Sequence, residues 1–443
     1  MGFLDFILFP FYVALFYFIF SARRKNYTDP VLQYYHKQGF WIKVLAVIPF
    51  TLFNSIMSPG DSFVLYYTEG VNIGRLIMHD FSNVKWLYLP GMEFDQTLLK
   101  NSLNLGYLRA ENNYMVVRIV AMLSFFALNK YVILNLFFSL ISFSGVWRLY
   151  RFFYEQYPHL HKQLAIAILY LPTFVFWSSG ILKDPICTGA VGWITYGMYE
   201  IFYKKKNLFS NVIIILFFGY LLYVIKVYIL ISYVPFFILY LVLKNVTLIK
   251  SRLLRVMLVV GLVLITMSMF TTVMQQLAGS LGSYGGENIA KNISNYQKAY
   301  AEQDNATSNF SLGVEFDGST GSLIRIAPAA ITATLFRPFF WESKKISTLL
   351  SSAESLALMI FTLFVLYKCG PVNFVRSILK DPVIMYCLLF AILFALFVGA
   401  TTANFGTLVR YKIQCIPFYV IAIMLIYDKN KKQKNSPAVD GAV

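Results

Sequence analysis

The chain has 443 residues, of which 58% are hydrophobic, 18% aromatic and 13% charged. Soluble domains carry roughly 25% charged and about 45–50% apolar residues, and a soluble chain of this length could not hide so much apolar surface. The composition therefore implies a polytopic membrane protein and excludes a soluble enzyme or a nucleic-acid binder. The formal charge is +17, from 38 Lys and Arg against 21 Asp and Glu. In a membrane protein such a surplus follows from the positive-inside rule, so the informative cations are those the rule does not explain.

Apolar runs of about 17–25 residues, the length that crosses a bilayer, predict eleven spans. They fall at 2–20, 40–58, 131–149, 163–179, 186–203, 208–225, 227–243, 254–271, 346–367, 382–400 and 412–427. The expected fold is all-α: a polytopic helical protein of about 11–12 transmembrane helices forming one integral membrane domain over 1–443. The first run is followed by Ser21-Ala22-Arg23-Arg24-Lys25 and not by a small-residue cleavage site, so it reads as an anchor. The basic clusters at 23–25, 204–206, 250–255 and 429–434 can all be cytoplasmic only if the N-terminus lies outside and the C-terminus inside. The tail at 428–443 is then cytoplasmic. Residues 112–129 are apolar but short and carry Arg118. They read as a re-entrant or interfacial helix, or as a twelfth crossing.

This topology puts two large loops outside. The first, 59–129, holds amphipathic stretches at Val71–Phe81 and Gln96–Leu108 and then the re-entrant piece. The second, 272–345, begins with a Gly/Ser/Asn-rich stretch, Leu277–Ser311, that reads as a lid, and becomes apolar at Ile324–Phe340. No tandem repeat, heptad pattern or P-loop is present. Three of the four cysteines lie inside apolar runs and no C-x-x-C pair occurs, which argues against a disulfide framework or metal cluster. The composition and compact loops suggest the bacterial inner membrane.

Charges near a membrane are costly and usually functional. On this topology the outer side carries Asp61, Arg118, Lys183, Asp184, Arg325, Arg337, Glu342, Arg410 and Lys412, with Trp177 and Trp341 beside them. Bland readings exist for each. Asp61 ends a span in a Pro-Gly turn. Asp184 precedes Pro185 as an N-cap precedes N1, and Leu379-Lys380-Asp381-Pro382 repeats the same four residues elsewhere. Arg337 and Glu342 could pair with each other, Arg410 and Lys412 could snorkel, and the tryptophans could belong to the aromatic belt. Taken together, several arginines around a few carboxylates suit a phosphate or diphosphate ligand, whose oxygens the guanidinium fork binds bidentately. Aromatic faces suit sugars. Glu354 lies about three turns beyond Glu342 and is expected to pair with one of these arginines.

At Asp61, Tyr66 and Leu171-Pro172-Thr173-Phe174-Val175-Phe176-Trp177, the chain resembles the polytopic envelope glycosyltransferases with a GT-C-type fold. At Arg337 and Arg410 it is similar to oligosaccharide-repeat polymerases. The first resemblance implies that Asp61 is the base or the metal ligand for a polyprenyl-linked sugar, with Asp184 as a second acid. Gly60-Asp61-Ser62 has one acid where that family often has two. The second resemblance implies that outward arginines hold the lipid diphosphate without a metal.

The function expected is transfer or polymerisation of sugars from a polyprenyl-(di)phosphate donor on the outer face, in envelope polysaccharide biosynthesis. Asp61, Asp184 and Glu342 are the candidate catalytic residues. Arg118, Lys183, Arg325, Arg337, Trp341, Arg410 and Lys412 are the candidate substrate-binding residues. No cofactor is required, a divalent metal at Asp61 being the alternative; the partners are a polyprenyl-linked glycan and membrane lipid, without nucleic acid. The competing readings are a transporter or flippase for an anionic lipid-linked glycan and a non-catalytic subunit of an envelope complex. A transporter calls for polar residues along several spans and often an inverted repeat; here only exceptions such as Lys226 interrupt the apolar spans.

Overall fold

The computed structural model describes residues 3–89, 96–102, 110–245, 251–281, 310, 312, 320–343, 346–402 and 404–435. No β-strand occurs among them, and the all-α polytopic architecture holds. The chain divides into two compact units, Met1–Val227 and Tyr228–Val443.

The first unit begins with α1 (Phe3–Lys25) and α2 (Pro30–Leu52). Arg23, Arg24 and Lys25 fill the last turn of α1, where cations offset the helix dipole. Asp29 caps α2 by accepting from Val31 N, with Pro30 at N1. A π-helical turn at Phe53–Met57 ends this span, and a second at Asp61–Tyr67 leads into α3 (Thr68–His79). After the short α4 (Gln96–Asn101) come α5 (Glu111–Phe126) and α6 (Tyr131–Tyr154). The run at 163–179 is broken into α7 (His161–Ala165), a π-helical turn at Ile166–Tyr170 and α8 (Pro172–Trp177). Pro172 is the cause: it forces Leu171 out of helical geometry, to ψ 118°. Then α9 (Lys183–Tyr199) leads to α10 (Leu208–Asn245).

The core of this unit is α6, packed on α9 and α2. Two backbones nearly touch there. A Cβ on Gly145 would lie 1.9 Å from Gly189 O, and one on Gly192 would lie 2.0 Å from Gly145 O. Without a hydrophobic drive between helices in lipid, such small-residue contacts let the backbones approach. By contrast α1 turns Phe6, Phe11 and Phe18 outward, at 69, 62 and 76% exposure, as a lipid-facing helix should.

The second unit contains the end of α10, α11 (Arg252–Leu281), α12 (Thr320–Phe336), α13 (Ile346–Cys369), α14 (Pro371–Lys380), α15 (Pro382–Thr401), α16 (Phe405–Tyr411) and α17 (Ile416–Asn435). Its core is α15, held between α12 and α17. Gly399 sits where a Cβ would meet Ala330 O at 2.3 Å.

All eleven apolar runs are helical, but fewer are continuous spans. Among the described residues six helices are long and apolar enough to cross a membrane, and α16 with α17, bent by 59°, can make a seventh. The expected count was higher for physical reasons. Two of its runs share α10, which breaks at Lys226 (φ −152°, ψ 74°). The run at 163–179 is cut by Pro172, and the apolar part of α11 is short, Val256–Thr272. The segment read as re-entrant is α5, 16 residues long and about 24 Å by helical rise, below the ~30 Å core. It packs on α3 and α6 and is not one of the span-length helices. Most of the expected lid, Leu277–Ser311, lies outside the described residues.

Candidate functional site

The candidate residues fall in both units. In the first, Asp61 heads the π-helical turn at Asp61–Tyr67. Beside it Ser62 Oγ shares a 2.7 Å hydrogen bond with Tyr131 OH, and Tyr66 OH donates to Asn113 Oδ1 at 3.2 Å. The same turn borders a polar cavity of about 510 Å³ whose walls include Asp5, Phe63, Tyr67, Arg75, Lys130 and Tyr131, although not Asp61 itself. Burial pushes the Tyr67 phenol up, so it stays protonated, and its hydroxyl donates to Asn129 O at 2.9 Å. Among the described residues no three His, Cys, Asp or Glu side chains converge as a metal site would require. Among the described residues, a metal at Asp61 would take its remaining ligands from substrate phosphates and water, of the kind Mg²⁺ accepts.

The tryptophan-serine-glycine segment at 177–180 is a buried joint. Lys43, buried in α2, donates to Ser178 O and to Ser178 Oγ, the latter at 2.7 Å. Asn135 Oδ1 accepts from Ile181 N at 2.9 Å. The Phe50 ring covers Gly180 so closely that a Cβ there would lie 1.9 Å away.

Three first-unit candidates do not fit the roles expected of them. Asp184 is not the N-cap residue and is shut off from solvent. Leu182 takes the N-cap position of α9, and the Asp184 side chain is fully buried in an ion pair with Lys226 Nζ at 2.6 Å. The repeated tetrapeptide behaves otherwise: Asp381 caps α15, accepting from Val383 N and Ile384 N. Arg118 is not open to substrate. Its side chain is 4% exposed, paired with Glu111 and donating to Trp86 O and Leu89 O. That arrangement ties α5 to the preceding loop. Lys183 is half-buried and donates to Asn112 Oδ1 at 3.0 Å.

In the second unit three candidates, Arg337, Glu342 and Lys412, come together. Arg337, just past α12, presents its Nε to Glu342 Oε1 and Oε2 at 3.0 and 3.1 Å and pairs an Nη with the same carboxylate. Glu342 also accepts from Phe339 N at 2.9 Å. A carboxylate so engaged orients the guanidinium. The guanidinium stands over Phe310 and Phe405, at 4.9 and 5.2 Å, and those rings stack at 4.7 Å. Lys412 closes the cluster from beneath. At 2% exposure, it donates to Ser355 Oγ at 2.7 Å and Arg337 O at 3.1 Å. It is therefore a brace and not a ligand contact. Glu354, expected beside an arginine, acts electrostatically on Lys412. Arg410 lies half-buried on α16, the helix that supplies Phe405, with its guanidinium near the Tyr411 ring. Trp341 is 79% exposed and stacks on Phe339 at 4.9 Å. Arg325 is exposed on α12, twelve residues before Arg337, or about 18 Å along a helix axis, and so stands apart.

Sequence reasoning missed Lys43, which interrupts the 40–58 run, and Glu69, a fully buried carboxylate on α3. A charge inside an apolar period was the available signal for both. No protein-family model, curated protein or solved structure matches this chain.

Proposed function

We propose that this integral membrane protein binds a polyprenyl-(di)phosphate-linked glycan and transfers or polymerises its sugar in envelope polysaccharide synthesis. The observation that supports this is the second-unit cluster. Arg337, just past the end of α12, is held by Glu342 over two stacked phenylalanines; one of them, Phe405, lies on the same short helix as Arg410, and the exposed Trp341 follows four residues after Arg337. Oriented guanidinium groups suit phosphate oxygens. An exposed indole suits a sugar face, and the apolar helices suit the lipid tail. Arg337 and Arg410 would stabilise the diphosphate as leaving group. On this reading the protein lies in the bacterial cytoplasmic membrane, with the cluster outside and the C-terminus inside.

A second reading is translocation of the same lipid. The buried Asp184–Lys226 pair and buried Lys43 favour it, because charges inside apolar helices often mark a transport path. Reconstituting purified protein with a polyprenyl-diphosphate glycan and analysing products by mass spectrometry separates the two. A new glycosidic bond is the expected result. Intact lipid reaching the other leaflet, with no new bond, would establish translocation instead.

A further inference from the structure

A small cavity in the first unit carries more positive charge than the surrounding chain neutralises. Its walls include Arg23 from the last turn of α1, His36 from α2, Trp147, Arg148 and Arg151 from α6, and Trp193 from α9. No Asp or Glu lines it, and its volume is about 50 Å³. A water molecule's share of liquid volume is about 30 Å³, so the space suits a single tetrahedral oxyanion and not a sugar or nucleotide.

Arg148 stacks on Trp193 at 3.5 Å to the ring centroid, and lies 5.6 Å from Tyr196. Among the described residues its side chain forms no hydrogen bond and no ion pair, and neither does the side chain of Arg23, which is exposed. Arg151 gives one Nη to Glu155 at 3.3 Å and to Tyr196 OH, while its Nε is buried without a hydrogen-bond partner. The nearby carboxylates are shared with other partners. Glu155 also holds Lys204 at 2.5 Å and Tyr196 OH at 2.9 Å. Glu200 binds Asn211 Nδ2 at 2.9 Å, and Asp29 binds Tyr154 OH at 2.6 Å.

A guanidinium stacked on a ring has its face occupied, but its N–H edges still point in plane. Leaving such donors without acceptors is costly. Like charge worsens this: Arg151 acts repulsively on Arg148, more strongly than Glu200 attracts it. A charge that merely orients a membrane chain need only reach water, as the exposed Lys205 and Lys206 do. Arg148 instead lies inside a span-length helix, partly buried and stacked.

We infer that this cavity binds a single anionic phosphate group, carried by a lipid headgroup or by a soluble phosphate. The site shares no residue with the Arg337 cluster and does not depend on the proposed reaction.

The test is the thermal midpoint of the purified full-length protein. In detergent micelles it is titrated with inorganic phosphate against chloride at matched ionic strength. In nanodiscs it is compared between phosphatidylcholine alone and phosphatidylcholine with phosphatidic acid. At least one phosphate probe is expected to raise the midpoint saturably, beyond chloride. Arg148→Gln should weaken that binding about tenfold, the scale of one charge-assisted hydrogen bond. Arg23→Gln, at an exposed position, should weaken it too, and keeps the test decisive if Arg148→Gln does not fold. Stabilisation by inorganic phosphate identifies a soluble source; stabilisation only by phosphatidic acid identifies a headgroup. Absence of any shift beyond chloride, or an unchanged shift in every variant that folds, would overturn the inference.

Discussion

Asp184 and Asp381 stand in the same tetrapeptide and have different fates. Asp381 accepts two backbone N–H groups at the start of α15, while Asp184 is buried against Lys226. Local sequence carries the capping rule but not the partner, because Lys226 is forty-two residues away and reaches Asp184 only through packing. Removing one member of a buried pair leaves an uncompensated charge, which typically costs about 3–5 kcal/mol. We therefore expect Asp184→Asn and Lys226→Met each to destabilise strongly in denaturant unfolding. The double variant should lose less than the two singles combined. Additive losses would mean that the two charges do not depend on each other. Arg118 was equally hard to read: its burial against Glu111 and two loop carbonyls depends on the fold of the preceding segment. Arg337 was easier, since Glu342 is five residues away and the pairing is local. In that pair the fork geometry matters as well as the charge. Arg337→Lys should therefore resemble Arg337→Ala in substrate binding far more than it resembles the parent; parental affinity in the lysine variant would count against bidentate phosphate recognition.

At the level of elements, the apolar runs were legible because lipid imposes one requirement on every span: about twenty residues without charge, with the backbone bonded to itself. The breaks were less legible. Pro172 marks one openly, but the kink at Lys226 and the π-helical turns depend on tertiary packing. The closeness of α6 and α9 also lies outside what periodicity reports. It yields a sharp expectation. Gly145→Ala places a methyl against the Gly189 carbonyl, must push the helices apart and should destabilise by about 1–3 kcal/mol, the usual range for overpacking. Gly261→Ala on α11, with nothing within 4 Å of its Cβ, should be neutral or slightly stabilising through the alanine's higher helix propensity. Unfolding of the two variants under identical detergent conditions checks both. Equal behaviour would show that the α6–α9 approach does not limit stability.

Across the whole molecule, composition alone indicated a polytopic helical membrane protein, and the helices bear this out. The number of continuous spans was overestimated, since apolar length does not reveal where a helix bends. Orientation is testable separately. Single cysteines placed at Lys205 and Lys432, in a background with the four buried native cysteines replaced, should react with a membrane-impermeant maleimide only from the cytoplasmic side. One at Trp341 should react from outside. Labelling of Lys432 and Trp341 positions from the same side would reverse the reading of the basic clusters. The site is the least legible level. Of the charges expected outside, Arg118, Asp184 and Lys412 are engaged in holding the fold, and Arg337 with Arg410 carries the functional reading. The most direct test is turnover of a polyprenyl-diphosphate glycan by reconstituted protein, comparing the parent with Arg337→Ala. We expect the parent to form glycosidic bonds and the variant to be slower by about 10²–10³-fold, as when one group stabilising developing charge is removed. Equal turnover by the two proteins, or no bond formation by the parent, would contradict the proposed function.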